Sequence, residues 1–207
     1  MEVLHLTGAR VVLLPVVRGL VSERLRVRAA TEDVRPVAVG VSISPEELEA
    51  LRHHGTGSVD PSGPEEEVYV AGLSAFGAVE KPPPCFTEAL VVAEERRLPV
   101  HAIDMDEGTF SDAYLHAVSG LDFIRSGIQA SRIHGWKVRA ETPEAFVLAW
   151  DARVNRARGY RVLQQQREAH MAGRIIELSR TGGPLLVLVE LERIRGVRER
   201  LVAQRPT

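Results

Sequence analysis

Two glycines and a proline, Gly182, Gly183 and Pro184, stand directly before the apolar run LLVLV at 185–189, and this junction constrains the chain most. The glycines supply a helix C-cap, and the proline stops the helix from continuing. Upstream, Met171, Ile175, Ile176 and Leu178 fall at helical spacing and give that segment one apolar face. Downstream, a continuous apolar run with β-branched members is the pattern of a strand covered on both faces, as in a parallel sheet flanked by helices. The strand runs into the charged stretch 190–195, so its carboxyl end is polar. In open α/β sheets that edge is where ligands bind.

The rest of the chain supplies partners for this strand. MEVLHL and ARVVLLPVV, on either side of Thr7 and Gly8, read as a hairpin leading into a buried strand. Pro15 has no N–H to give a ladder, so a bulge or the strand's end is expected there. Further strands are expected at 36–43, 68–76 and 98–106, with helices at about 21–30, 45–53, 88–97 and 109–118. Ser44-Pro45-Glu46-Glu47 is a capping box with proline at the first helical position. Thr87 and Thr109 are the expected caps of the next two helices. The segments 53–67 and 77–85 read as polar and proline-rich loops. From Gly120 the pattern turns helical: 121–136 is helical in part, and 145–180 is helical with a break near Gly159. The expected fold is therefore α/β, a mixed and largely parallel sheet flanked by helices, with a helical insertion at about 120–180 before the last strand.

Composition removes several classes. The chain has 207 residues and a net charge of −2, so no global basic field argues for nucleic acid or a membrane surface. No apolar run approaches a membrane span, and the start lacks signal-peptide character. Cys85 is the single cysteine, which excludes a disulfide framework and a cysteine zinc cluster and fits the cytoplasm. Lys81 and Lys137 are the only lysines among 26 cationic side chains, and Asn155 is the only asparagine. That bias fits a GC-rich genome or a thermophile.

Several stretches together resemble the TraB/PrgY family, grouped with the Tiki proteases and the erythromycin-esterase/ChaN proteins. The opening hairpin and VAVGVSISPEELEALR match its first strands and helix. FTEALVVAEERRLPVHAIDMDEGTF matches a helix with an early glutamate and a strand ending in Asp-Arg. REAHMA matches an Arg-x-x-x-Met-Ala helix, and LLVLVELERIRGV matches the terminal strand. The resemblance implies one α/β domain over 1–207 and a hydrolytic, metal-linked ancestry. It also implies loss of most of that chemistry. The family's Gly-Thr-x-His falls on Pro15-Val16-Val17-Arg18, its strand glutamate on Ser42, and its final Gly-x-x-His on 190–193, ending in Arg193. Met105 replaces the arginine after Asp104, while Glu88, Asp104, Arg167 and Gly196 are retained. Arginine has no acceptor and cannot ligate a metal.

The site expectations follow. Asp104 and Asp106, two apart at a strand end, share a face and are candidate oxygen ligands or catalytic carboxylates with Glu88. His101 lies on the other face, and His53, His54 and His170 complete no metal motif. Cys85 precedes a helix start that would depress its pKa. Arg18, Arg167 and Arg193 are expected to converge beside Glu88 and Asp104, leaving about one positive charge for a small anion. No cofactor and no tightly bound zinc are expected. Phe146, Val147, Trp150, Val154, Leu163 and Met171 exceed what a solvated excursion needs, so a homodimer through the helical region is expected. Three functions follow from these residues. The first is a catalytically degenerate TraB-like binding or regulatory module. The second is a hydrolase, peptidase- or esterase-like and with or without a metal, using Glu88, Asp104, Asp106 and a histidine outside the family's positions. The third is nucleic-acid binding through Arg153, Arg156, Arg158, Arg161, Arg167 and Arg174. Tyr160 is the only aromatic interleaved there, so nucleic acid is not the expected partner.

Overall fold

The computed structural model describes residues 1–6, 8–53, 64–131 and 140–204. The chain opens with the expected hairpin, β1 (Glu2–Leu6) and β2 (Ala9–Val16). Leu6 pairs with Ala9, and between the strands Gly8 takes φ +85°, where a side chain would be strained. There follow α1 (Glu23–Val34), β3 (Ala38–Val41), α2 (Pro45–His53), α3 (Pro64–Leu73) and α4 (Pro84–Arg96). Then come β4 (Val100–Ala102), α5 (Glu107–Ala117), α6 (Gly120–Ser131), α7 (Pro143–Val154) and α8 (Arg158–Ser179). β5 (Leu185–Glu190) and α9 (Leu191–Ala203) end the chain.

The strands form one sheet in the order β1-β2-β5-β3-β4, with β1 antiparallel to β2 and the other pairs parallel. The last strand in sequence is thus the middle strand in space. Every residue of β5 is buried, as its apolar run requires. Leu185, Val187 and Val189 pack on one face with Met171, Ile175 and Leu178 of α8 and Val197 and Leu201 of α9. Leu186 and Leu188 pack on the other with Val27 and Val34 of α1, Leu48 of α2 and Phe86 of α4. Each fully buried aliphatic side chain here contributes roughly 1.5–3 kcal/mol. A third apolar cluster, Val17, Leu20, Leu73, Phe146 and Val147, lies beyond the carboxyl end of β2 and joins α3 to α7.

The expected strand at 68–76 is instead helix α3 followed by a 3-10 turn, Ser74–Phe76. Pro64 and three glutamates in the first turn favour a helix start. Tyr69, Leu73 and Phe76 recur at helical spacing, and the cluster with Phe146 and Trp150 rewards that period. Gly72 is forced by this contact: a Cβ there would lie 2.4 Å from the Phe146 ring. Pro15 produces no bulge. The strand passes through it and ends one residue later. Its carbonyl accepts from Arg26 at 3.2 Å, on the side that β1 no longer covers past Leu13, so no ladder bond is lost.

The Ser44–Glu47 box forms reciprocally, each backbone N–H donating to the other side chain at 3.1 Å. Thr87 caps nothing: α4 starts earlier, with Pro84 in its first turn. Asp106, not Thr109, caps α5, accepting from the Thr109 N–H. The helical excursion is α6 to α8, broken at 155–157. Its apolar residues serve this chain's own core, since Phe146, Val147, Leu163 and Met171 are buried within it. The large exposed apolar side chains of the region are Leu121, Phe123 and Ile124 on α6 and Leu148 on α7, with Phe110 and Leu115 on the preceding α5. Among the described residues no helix is long and apolar enough to cross a membrane. The expected polar loop at 53–67 and the segment 132–136 lie largely outside the described residues.

Candidate functional site

At the carboxyl edge, β2 leads to Arg18, β3 to Ser42, β4 to Asp104, and β5 ends in Glu190. The strand register fixes their convergence. Ser42 Oγ accepts from the Glu190 N–H at 3.0 Å, tying two strand ends together where the family resemblance would put a glutamate. Glu190 is 3% exposed, and its carboxylate accepts from Arg18 Nη1 at 2.7 Å with Arg167 Nη2 at 3.6 Å. Arg167, reaching down from α8, also donates to both Asp104 oxygens, Nε lying 3.1 Å from Oδ2 and 3.3 Å from Oδ1. Asp104 in turn accepts the Met105 N–H. Burial opposes the Glu190 charge, but Arg18 and Arg167 outweigh it and hold the carboxyl below its usual range. Burial likewise opposes the Arg18 charge, and Glu190 and Glu47 overcome it.

A second network adjoins the first. Arg193, 4% exposed at the start of α9, donates to Asp151 of α7 and to Glu168 of α8, the latter at 3.3 Å. Arg200 reaches the other Glu168 oxygen at 3.0 Å. Glu168 fits because Gly196 has no side chain: a Cβ there would lie 2.0 Å from its Oε2. The glycine retained in the family resemblance is therefore a space for a carboxylate.

The expected convergence is only partly met. Arg18, Arg167 and Asp104 meet, around Glu190. Arg193 points instead to Asp151 and Glu168, because its place on the first turn of α9 faces α7 and α8. Glu88 lies a turn inside α4 and pairs with Arg28 of α1 at 2.6 Å, away from both networks. Asp106 is occupied by its capping role, which lowers its pKa. Two guanidiniums thus meet three carboxylates in the first network, Glu190, Asp104 and Glu47, and two meet two in the second. The surplus positive charge expected beside Glu88 and Asp104 is absent. Cys85 is fully buried, and burial raises its thiol pKa to about 12, so the helix start does not activate it. Among the described residues no cluster of three or more His, Cys, Asp or Glu is placed to hold a metal ion.

A cleft of about 520 Å³ opens beside the first network. Tyr69 and Trp150 form an aromatic wall, their rings edge-on with centroids 5.6 Å apart. The charged lining is Glu65, Glu66, Glu80, Asp151, Glu190 and Glu192 against Arg18 and Lys81. Most of these are paired: Glu190 with Arg18, Glu66 with Lys81, Glu80 with Arg24, Asp151 with Arg193. Glu65 and Glu192 have no cationic partner in an ion pair among the described residues. Burial, and then the neighbouring Glu190 charge, raise the Glu192 pKa to about 7. Glu190 and Glu192 are therefore two nearby carboxyls driven apart in pKa by their surroundings.

Sequence reasoning missed Glu168, Asp151, Glu192 and Tyr69 as site residues. The signal for Glu192 was its position two residues beyond the end of the central strand. The others reach the site only through helix packing, which no local pattern reports. The chain matches no family model and no curated protein, so the geometry of this edge carries the functional argument.

Proposed function

We propose that the chain is a catalytically degenerate, TraB-like binding module whose cleft takes a compact organic cation with an apolar body. The observation that carries this reading is the charge balance of the cleft. Its cations are all engaged by carboxylates, while Glu65 and Glu192 are left over beside an aromatic wall. An ammonium or guanidinium group would supply the missing partner, and Tyr69 and Trp150 suit its apolar or cationic portion. The same balance argues against a small anion at this edge, since an anion would meet unpaired carboxylates. It also supports loss of hydrolysis, because Asp104, Glu190 and Arg193 are each committed to buried ion pairs.

Benzylamine, benzyl alcohol and benzoate test the sign of the ligand charge at constant shape. At saturation benzylamine raises the melting midpoint of the wild type, by about 2.7 kcal/mol of stabilisation at 100 times its dissociation constant. Benzoate gives no rise. Equal shifts for all three, or the largest for benzoate, would remove the cation reading.

A second reading has its own observation. Glu192, with its pKa raised to about 7, is protonated in part near neutral pH next to an ionised Glu190, an arrangement suited to a general acid beside a stabilising carboxylate. Ester or peptide turnover by the purified protein, abolished in Glu192→Gln, would favour this hydrolase over the binding module.

A further inference from the structure

The ion-pair networks leave one group of arginines unused. Arg125 of α6, Arg156 in the link after α7, and Arg158 and Arg161 in the first turn of α8 line a pocket of about 480 Å³. Ser126, Val154 and Ala157 complete its lining, and no carboxylate takes part. Other arginines of the same stretch are paired, Arg167 with Asp104 and Arg174 with Glu177. Among the described residues none of the four pocket arginines forms an ion pair. The guanidinium of Arg161 donates to the backbone carbonyl of Arg156, which holds it at the pocket. Asp122 of α6, whose charge Arg125 helps to stabilise, is otherwise committed: its Oδ2 accepts from Ser119 Oγ at 2.7 Å, and the carboxylate also takes the Gly159 N–H at the start of α8.

α8, 22 residues long, begins at this pocket with Arg158 and Arg161 in its first turn, and Asp122 already takes the Gly159 N–H there. Guanidiniums present planar, paired donors matched to phosphate oxygens. Four of them repel one another unless several negative charges lie between them. A monoanion cannot balance such a group, and a large flat surface is not needed to reach a concave pocket of this size.

We infer that this pocket is a binding site for a compact oligophosphate, a ligand with at least two linked phosphate groups. It adjoins the cation cleft, sharing Val154 with it, and does not depend on that reading. The phosphate chemistry could be carried by a free ligand or by a nucleic-acid backbone, and the small concave volume of about 480 Å³ favours the free ligand.

Titration calorimetry of the full chain with inorganic pyrophosphate tests this, with sodium chloride at matched ionic strength as the blank. The expected result is saturable binding of pyrophosphate. Arg158→Gln and Arg161→Gln should each weaken it about tenfold or more, the effect of losing one charge-assisted hydrogen bond. Both side chains are exposed, so these variants should keep the wild-type melting midpoint in chloride. Arg195→Gln is the control: it removes the same charge from an exposed arginine paired with Glu199, and it should leave pyrophosphate affinity unchanged. Absence of saturable pyrophosphate binding would overturn the inference. So would an equal loss in Arg195→Gln, or saturable binding of a short DNA duplex by a protein that does not bind pyrophosphate.

Discussion

Replacing Gly196 by alanine is the sharpest perturbation of the charged edge, because helix propensity and the structure predict opposite signs. In an ordinary helix interior, Gly→Ala stabilises by up to about 1 kcal/mol. At position 196 the new Cβ would lie 2.0 Å from Oε2 and 2.2 Å from Cδ of Glu168. Normal contact needs about 3.5 Å, so the carboxylate must retreat by more than about 1 Å. That retreat pulls it from Arg193, at 3.3 Å, and from Arg200, at 3.0 Å. Breaking a buried pair costs about 3–5 kcal/mol. Arg193 keeps Asp151, and alanine returns about 1 kcal/mol of propensity, so the net loss is about 2 kcal/mol. For a chain of this size that lowers the melting midpoint by roughly 4–8 °C. Gly173→Ala in α8 is the matched control, since a Cβ there meets nothing within 4 Å. It should stabilise by up to about 1 kcal/mol. In a Glu168→Ala background, Gly196→Ala should no longer destabilise. Calorimetric or urea unfolding measures all four variants. If Gly196→Ala raises stability as Gly173→Ala does, Glu168 does not occupy that space and the second network is wrongly drawn.

Three further outcomes are expected. Burial raises the folded-state pKa of Glu192 to about 7 from its ordinary 4.5, so its contribution is full below pH 4.5 and is lost as pH rises to 7. Stability should therefore fall over that window, and Glu192→Gln, measured by urea unfolding from pH 4 to 8, should flatten the fall. A thiol reagent should leave Cys85 untouched in the native protein, because the side chain is fully buried and its pKa is near 12; labelling at the rate of a denatured control would contradict this. Ser44→Ala should cost about 1 kcal/mol in the same unfolding assay, the usual effect of losing an N-cap.

What was legible in the sequence was what local chemistry decides. Gly182, Gly183, Pro184 and the LLVLV run gave the helix stop and the central strand because φ freedom, a missing N–H and continuous apolarity act over a few residues. Ser44 and Glu47 marked α2 for the same reason. VYVAGLSAF was misread because β-branched residues are an equivocal signal over so short a run. The deciding contact, Gly72 against Phe146, joins residues far apart in sequence. At the edge, Asp104 was readable as a strand end, and Arg18 and Arg167 through the family resemblance. Glu88 was misplaced because its membership rested on resemblance alone, while the α1–α4 packing gives it Arg28. Arg193 was assigned the wrong partners because those come from α7 and α8, whose approach to α9 has no sequence signature.

The central claim is that the cleft beside the neutralised edge binds a cation through Glu192. Calorimetric titration of benzylamine at pH 7, in two buffers of different ionisation enthalpy, measures this directly. Glu192 is about half protonated at that pH and must lose its proton to pair with the amine. The wild type should therefore bind with release of a fraction of a proton, and the apparent enthalpy should differ between the buffers. Glu192→Gln should bind more weakly with no such difference. Binding without proton release, or proton release that survives in Glu192→Gln, would contradict the account.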